Sequence, residues 1–198
     1  ESDGSFVHIP PTYSIITNID REHMDFYKSM SHLKYYFQQF IDKVPSFGKS
    51  FICIDDKVNK ELVKNLKSQN FYTYGTNYKS NFYIKNIKQN RKYTKFDLQV
   101  SVPNKKKKLI KNIKTPLLGI HNVRNSVAAT AVSLTVGISI LDIKKGLLNF
   151  KGVQRRFNKI FTYNGIDFYD DYAHHPTEIK VVLEGINKVY RDYEKVCI

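Results

Sequence analysis

The chain has 198 residues, a length suited to one domain or to one domain with part of a second. Its 41% hydrophobic and 25% charged residues exclude wholesale disorder, and no apolar run approaches the ~20 residues of a membrane helix. Lys and Arg number 32 against 18 Asp and Glu, a net +14, but only Arg21, Arg91, Arg124, Arg155, Arg156 and Arg191 carry guanidinium forks. The excess is therefore lysine on solvated faces, as A/T-rich codon usage also produces, and a nucleic-acid partner is not expected. Residues 1–6 have neither the basic start nor the apolar stretch of a secretory signal. Cys53 and Cys197 lack metal-ligand spacing and make no disulfide framework, which suits a reducing cytoplasm.

Residues 6–9 and 13–19 read as short strands, the second an apolar run between Pro11 and Asp20. A helix is predicted over 31–44, with Leu33, Phe37, Phe40, Ile41 and Val44 on one stripe and Pro45 beyond its end. A strand at 50–54 follows, then a helix to about Lys67 that either Asp55 or Asp56 can cap. The strand at 71–74 runs into the turn at Gly75, Thr76 and Asn77. This alternation predicts an α/β layer with parallel pairing. Residues 82–87, 93–102 and 109–114 are polar and alternating, an antiparallel meander with one wet face and a lysine-rich hairpin tip at 105–108. A small-residue helix over 122–136 and a second over 142–148 come next. Beyond Gly152 the pattern predicts a hairpin turning at Asn164 and Gly165, a helix opened by Pro176, and a strand at 195–198.

Four polar clusters, the fourth in two pieces, interrupt this pattern. In ESDGSF, Glu1 is either a ligand for a hard cation such as Mg²⁺ or part of an acidic terminus. In TNIDREHMDFY, His23 follows an apolar strand, at the strand end where ligands gather in open α/β sheets. Glu22 and Asp25 stand beside it, and a plain helix-capping loop is the other reading. In GIHNVRNSVAA, Asn122 and Asn125 share one face of a first helical turn, suited to an adenine edge or to helix capping. GVQRRF offers adjacent arginines for a phosphate chain, and DDYAHHPTEI offers paired aspartates for ribose hydroxyls. His174 and His175 do not make a zinc site: no Cys joins them, and His8, His32 and His121 stand at no ligand spacing.

Taken together and in this order, the five segments resemble the Mur ligase family, and within it the branch that adds L-alanine. The resemblance spans residues 1–179. It implies an α/β fold: an incomplete central ATP-binding domain over 1–150, with a mixed sheet, flanking helices and the meander, then the first elements of a Rossmann-like C-terminal domain over 151–198. It implies ATP-dependent formation of an amide between UDP-N-acetylmuramate and L-alanine through an acyl phosphate, in cytoplasmic peptidoglycan synthesis, with ATP and Mg²⁺ and without a membrane partner. By the same resemblance Glu1 and His23 are metal-side residues, His23 acting also on substrate. His121, Asn122 and Asn125 lie on the adenine side, Arg156 on phosphate, Asp171 on ribose, and His174 in the nucleotide cleft.

The family's phosphate-binding G-x-x-G-K-[ST] run does not occur in these 198 residues and is expected upstream of Glu1. The chain is therefore read as a fragment that does not turn over alone. A catalytically silent nucleotide- or RNA-binding module on the same scaffold is the alternative.

Overall fold

Short, mostly apolar strands of four or five residues open the sheet. The computed structural model describes residues 2–66 and 68–197. Glu1, the proposed metal ligand, lies outside the described residues, as do Lys67 and Ile198. Strands β1 (Tyr13–Ile16), β2 (Lys49–Cys53), β3 (Phe71–Gly75) and β4 (Phe82–Gln89) pair in parallel, in that order. β5 (Thr94–Val100) and β6 (Lys108–Thr115) then add antiparallel, completing one six-stranded sheet. Helices cross over between β1 and β2 and between β2 and β3, whereas β4 and β5 are joined by a turn at 90–93.

Opposite faces of β2 feed two cores. Ile52 joins Ile16, Leu33, Ile41 and Leu62, covered by α2 (Met30–Asp42) and α3 (Lys57–Asn65). Phe51 and Cys53 join Phe82, Phe96, Leu98, Ile110 and Ile113, covered by α4 (Ile120–Thr135) through Val123, Val127 and Ala131. That spacing of four keeps one helical stripe on the sheet, and cover on both faces leaves β2 buried without a break from Ser50 to Cys53. Side-chain caps set the helix starts: Ser29 accepts from His32 N at 3.2 Å, and Asp56 from Asn59 N at 2.8 Å. Asp56, not Asp55, is thus the cap of α3. One short turn, α1 (Met24–Tyr27), precedes α2, and α5 (Ile140–Asn149) follows α4.

The predicted strand at 6–9 is instead a 3-10 turn, Ser5–His8, entered through left-handed Gly4 at φ 68°. Phe6 packs on Phe37 and Phe40 of α2, at 5.1 and 5.4 Å between ring centroids, and Val7 is buried. Aromatic packing wins over a ladder that Pro10 and Pro11 would cut short.

Beyond Gly152, β7 (Asn158–Tyr163) and β8 (Ile166–Asp170) form a separate hairpin, with Asn164 and Gly165 both at positive φ as a tight primed turn requires. Helix α6 (Pro176–Val189) follows, and its Gly185 comes so near Gly119 that a Cβ there would lie 3.6 Å from the Gly119 Cα. The strand expected at 195–198 is not formed over 195–197. Among the described residues β7 and β8 offer only an antiparallel pair, with no parallel neighbour for it to join. Tyr190 and Tyr193, just upstream, are held instead by Tyr169 and Arg91.

Candidate functional site

The carboxyl ends of β2 and β3 converge on one carboxylate. Asp55 accepts from Thr76 N at 2.8 and 2.9 Å, from Thr76 Oγ1 at 3.0 Å and from Asn77 N at 3.2 Å. Arg124 Nε donates to the same group at 2.8 Å, and the Asp55 side chain is only 6% exposed. Gly75 is required beside it, since a Cβ there would stand 2.5 Å from Asp55 Oδ1. Asp55 thereby ties the loop after β3 to the first turn of α4. Sequence reasoning missed this pair; the available signal was a second aspartate after a buried strand, where capping needs only one. Cys53 beneath it is buried, which pushes its thiol pKa up and makes it a packing group rather than a nucleophile.

The start of α4 holds three of the expected adenine-side residues. Asn122 Nδ2 donates to Leu118 O at 2.7 Å, as a helix-start residue does, leaving its amide oxygen. Asn125, one turn on, is exposed. The His121 ring lies over Gly119, where a Cβ would come within 2.6 Å of its Cε1, and its buried Nδ1 has no hydrogen-bond partner. Burial lowers the His121 pKa; Asp171 opposes this, and Arg124 and Arg156 add to it. The folded state thus takes up a proton on this ring less readily than the unfolded state, whose value is ~6.5. Stability should fall as pH drops below about 6.5, and thermal melts at pH 7.5 and 5.5 should show a smaller fall for His121→Gln.

The third group comes from beyond Gly152. Asp171 Oδ2 accepts from Phe157 N at 2.8 Å and Oδ1 from Ala173 N at 2.7 Å, so this carboxylate clasps the arginine turn to the end of β8. Arg155 and Phe157 both sit at left-handed φ, 59° and 50°. Arg156 reaches Glu178 at 3.4 Å, and His174 Nδ1 lies 3.7 Å from the same carboxylate. Burial alone would raise Glu178, but the His174 and His175 backbone N–H groups and Arg156 outweigh it and hold the carboxyl below its ordinary range.

Arg156 and Asp171 thus lie within electrostatic reach of His121, which brings the adenine-side and phosphate-side segments together. The loop of His23 approaches the same region at a different residue: Asp20 Oδ2 lies 4.0 Å from His175 Nδ1. His23 itself is exposed at φ 54°, at the N-terminus of α1. Among the described residues no three His, Cys, Asp or Glu side chains are grouped closely enough to hold a metal ion. What the cluster offers is one polar edge with cationic, amide and imidazole groups, suited to a phosphorylated ligand bearing a base.

A family model described as the Mur ligase middle domain matches residues 2–133. The UDP-N-acetylmuramate--L-alanine ligase of Pelagibacter ubique (strain HTCC1062) is 67% identical over 198 residues, all of this chain and 43% of that protein. The protein of that name from Brachyspira hyodysenteriae (strain ATCC 49526 / WA1) is 39% identical over 200 residues, again covering all of this chain and 42% of the relative. Among solved structures, the UDP-N-acetylmuramate-alanine ligase MurC of Thermotoga maritima superposes with a TM-score of 0.77 over 96% of this chain and 41% of that one, at 24% identity. The chain spans about two fifths of the length of the curated relatives it matches. With the matched model covering all six strands of the sheet and nearly all of α4, the chain belongs to the Mur ligase family, by way of its middle domain.

Proposed function

We propose that the protein containing this chain is an ATP-dependent ligase that joins L-alanine to UDP-N-acetylmuramate in peptidoglycan synthesis, acting in the cytoplasm. The observation that carries this reading is the 67% identity to a ligase of that name, which runs through every residue of the chain. Residues 1–150 are read as the central ATP-binding domain and 151–198 as the start of the C-terminal one. Asp171 and Arg156 beyond Gly152 lie close enough to act electrostatically on His121, which supports a nucleotide held between the two.

ATP supplies the phosphoryl group that activates the muramoyl carboxylate for attack by the amino acid. The residues of this chain bind and orient. Asn125 and the spare oxygen of Asn122 face the adenine edge, and the orphaned Nδ1 of His121 is a polar atom awaiting a partner. Asp171 retains acceptor capacity for ribose hydroxyls beyond its two backbone bonds. Arg156 gives positive charge to the phosphates, with His174 beside it. Fixed charges of this kind supply most of the catalysis in phosphoryl transfer. His23 is assigned to substrate and metal, and Glu1 to Mg²⁺, on resemblance alone. Among the described residues no three protein ligands are grouped to hold a cation.

The test is ADP release by the intact protein, which should require both L-alanine and UDP-N-acetylmuramate; release with neither, or with a different amino acid preferred, overturns the assignment. In the same protein Asn125→Ala should weaken ATP up to about tenfold in a calorimetric titration, the loss of about 0.5–1.5 kcal/mol for one neutral hydrogen bond. An unaltered affinity would return Asn125 to a surface position on α4.

A further inference from the structure

Residues 82–115, which make β4, β5, β6 and their turns, contain ten Lys and one Arg against a single acid, Asp97. That is +10 of the chain's +14 in 34 of its 198 residues, so codon usage acting evenly along the chain does not account for it. Strand register sharpens the point. Lys95 on β5 pairs directly with Lys88 on β4 and with Lys114 on β6, a row of three ammonium groups across the sheet. Like charges placed opposite each other destabilise a sheet. Lysine on an edge strand guards against edge-to-edge pairing, which covers Lys111 and Lys114 on β6. β4 and β5 are interior strands, and for Lys88 and Lys95 that need does not arise.

Within the described residues Asp97 is the one acid near this face, close enough to act on Lys95 and Lys111, and it leaves most of the charge unmatched. None of the ten lysines is in an ion pair. Asp97 is occupied by Asn86 Nδ2 and Asn112 N, both at 2.8 Å, and pins the irregularities in β4 and β6. Beside it a hollow of about 290 Å³ is lined by Lys88, Lys95 and Asn112 among others. The character of the face selects its partner. Arg91, the lone guanidinium, is stacked on Tyr193 at 4.5 Å. Tyr83 and Tyr93 carry the Lys85 and Lys114 ammonium groups over their rings, at 5.6 and 4.7 Å. Single-stranded nucleic acid sites depend on open aromatic faces and arginine forks, and neither is offered. Lysines interspersed with exposed apolar side chains, here Ile87 and Leu109, match instead the charged interface of a bilayer.

We propose that the outer face of the β4–β6 meander docks on an anionic lipid surface, through the Lys88, Lys95 and Lys114 row and the lysine turn at 105–108. Such a contact needs no spanning segment, and it stands apart from the ligase reading. The test is sedimentation of the intact protein with phosphatidylglycerol-rich vesicles, with phosphatidylcholine vesicles, and in a separate binding titration with single-stranded RNA. Binding to the anionic vesicles alone, reversed by salt, is expected. The triple variant Lys88→Gln, Lys95→Gln, Lys114→Gln should weaken it on the order of 100-fold, from the contribution of each lysine near an anionic surface. Its melting temperature should be equal to or above that of the parent, because opposed charges have been removed. Absence of vesicle binding, equal binding to neutral vesicles, an unaffected triple variant, or tighter binding to RNA than to anionic vesicles would each overturn the proposal.

Discussion

Asp55→Ala should lower the free energy of unfolding by about 3–5 kcal/mol, the usual loss when one partner of a buried ion pair is removed. The carboxylate serves Thr76, Asn77 and Arg124 at once and is almost fully enclosed. Alanine leaves the Thr76 and Asn77 N–H groups and the Arg124 guanidinium without their acceptor. Arg124→Met should cost less, because the arginine is 34% exposed and Asp55 keeps its loop donors. Denaturant titrations of both variants give the comparison. If Arg124→Met proved the more harmful, α4 would be held by the arginine stem and not by the ion pair.

Asp171→Ala should release the arginine turn. Hydrogen bonds from backbone N–H to a charged acceptor contribute about 1.5–3 kcal/mol each, and Asp171 accepts two. They hold Arg155 and Phe157 in left-handed conformations that cost roughly 1 kcal/mol apiece for residues with a Cβ. Without the clasp, those residues should relax to ordinary φ and carry Arg156 away from His121. The Phe157 and Ala173 amides should then lose protection from hydrogen exchange, while the Phe96 and Leu98 amides in β5 keep theirs. ATP affinity of the intact protein should fall by more than tenfold. Retained protection at Phe157 would mean that the turn is held by the stack of its ring on Tyr169, 4.4 Å between centroids, and not by Asp171.

Elements whose signals are local were readable in the sequence. A capping aspartate before α3, either Asp55 or Asp56, the proline opening α6 and the turn at Asn164 and Gly165 act within a few residues. The apolar run at 51–54 and the alternation of β5 likewise report how many of their faces are covered. Misreadings arose where distant contacts decide. Phe6 and Val7 have strand-like chemistry, yet the aromatic stripe of α2 draws them into a 3-10 turn. The tail at 195–197 has strand composition but no neighbour to pair with. Site segments stood out as polar interruptions between regular elements, and the family could be identified from them. Asp55 and Arg124 did not, because they are 69 residues apart and each has an adequate local explanation, as a cap and as a solvated helix charge.

Gly119 and Gly185 meet backbone to backbone where α6 reaches the entrance of α4. Interlocked side chains give a contact discrete settings, so that one element moves past another in jumps. Two bare backbones have nothing to unmesh. Around this point the nearby tethers are Asp20 with His175 and Arg91 with Tyr193, both made by side chains that swing with the chain. The joint therefore has no side chains meshed at its centre. The arginine turn and the histidine pair are set against the adenine-side asparagines by backbone contact and these two tethers, and not by an interlocked core.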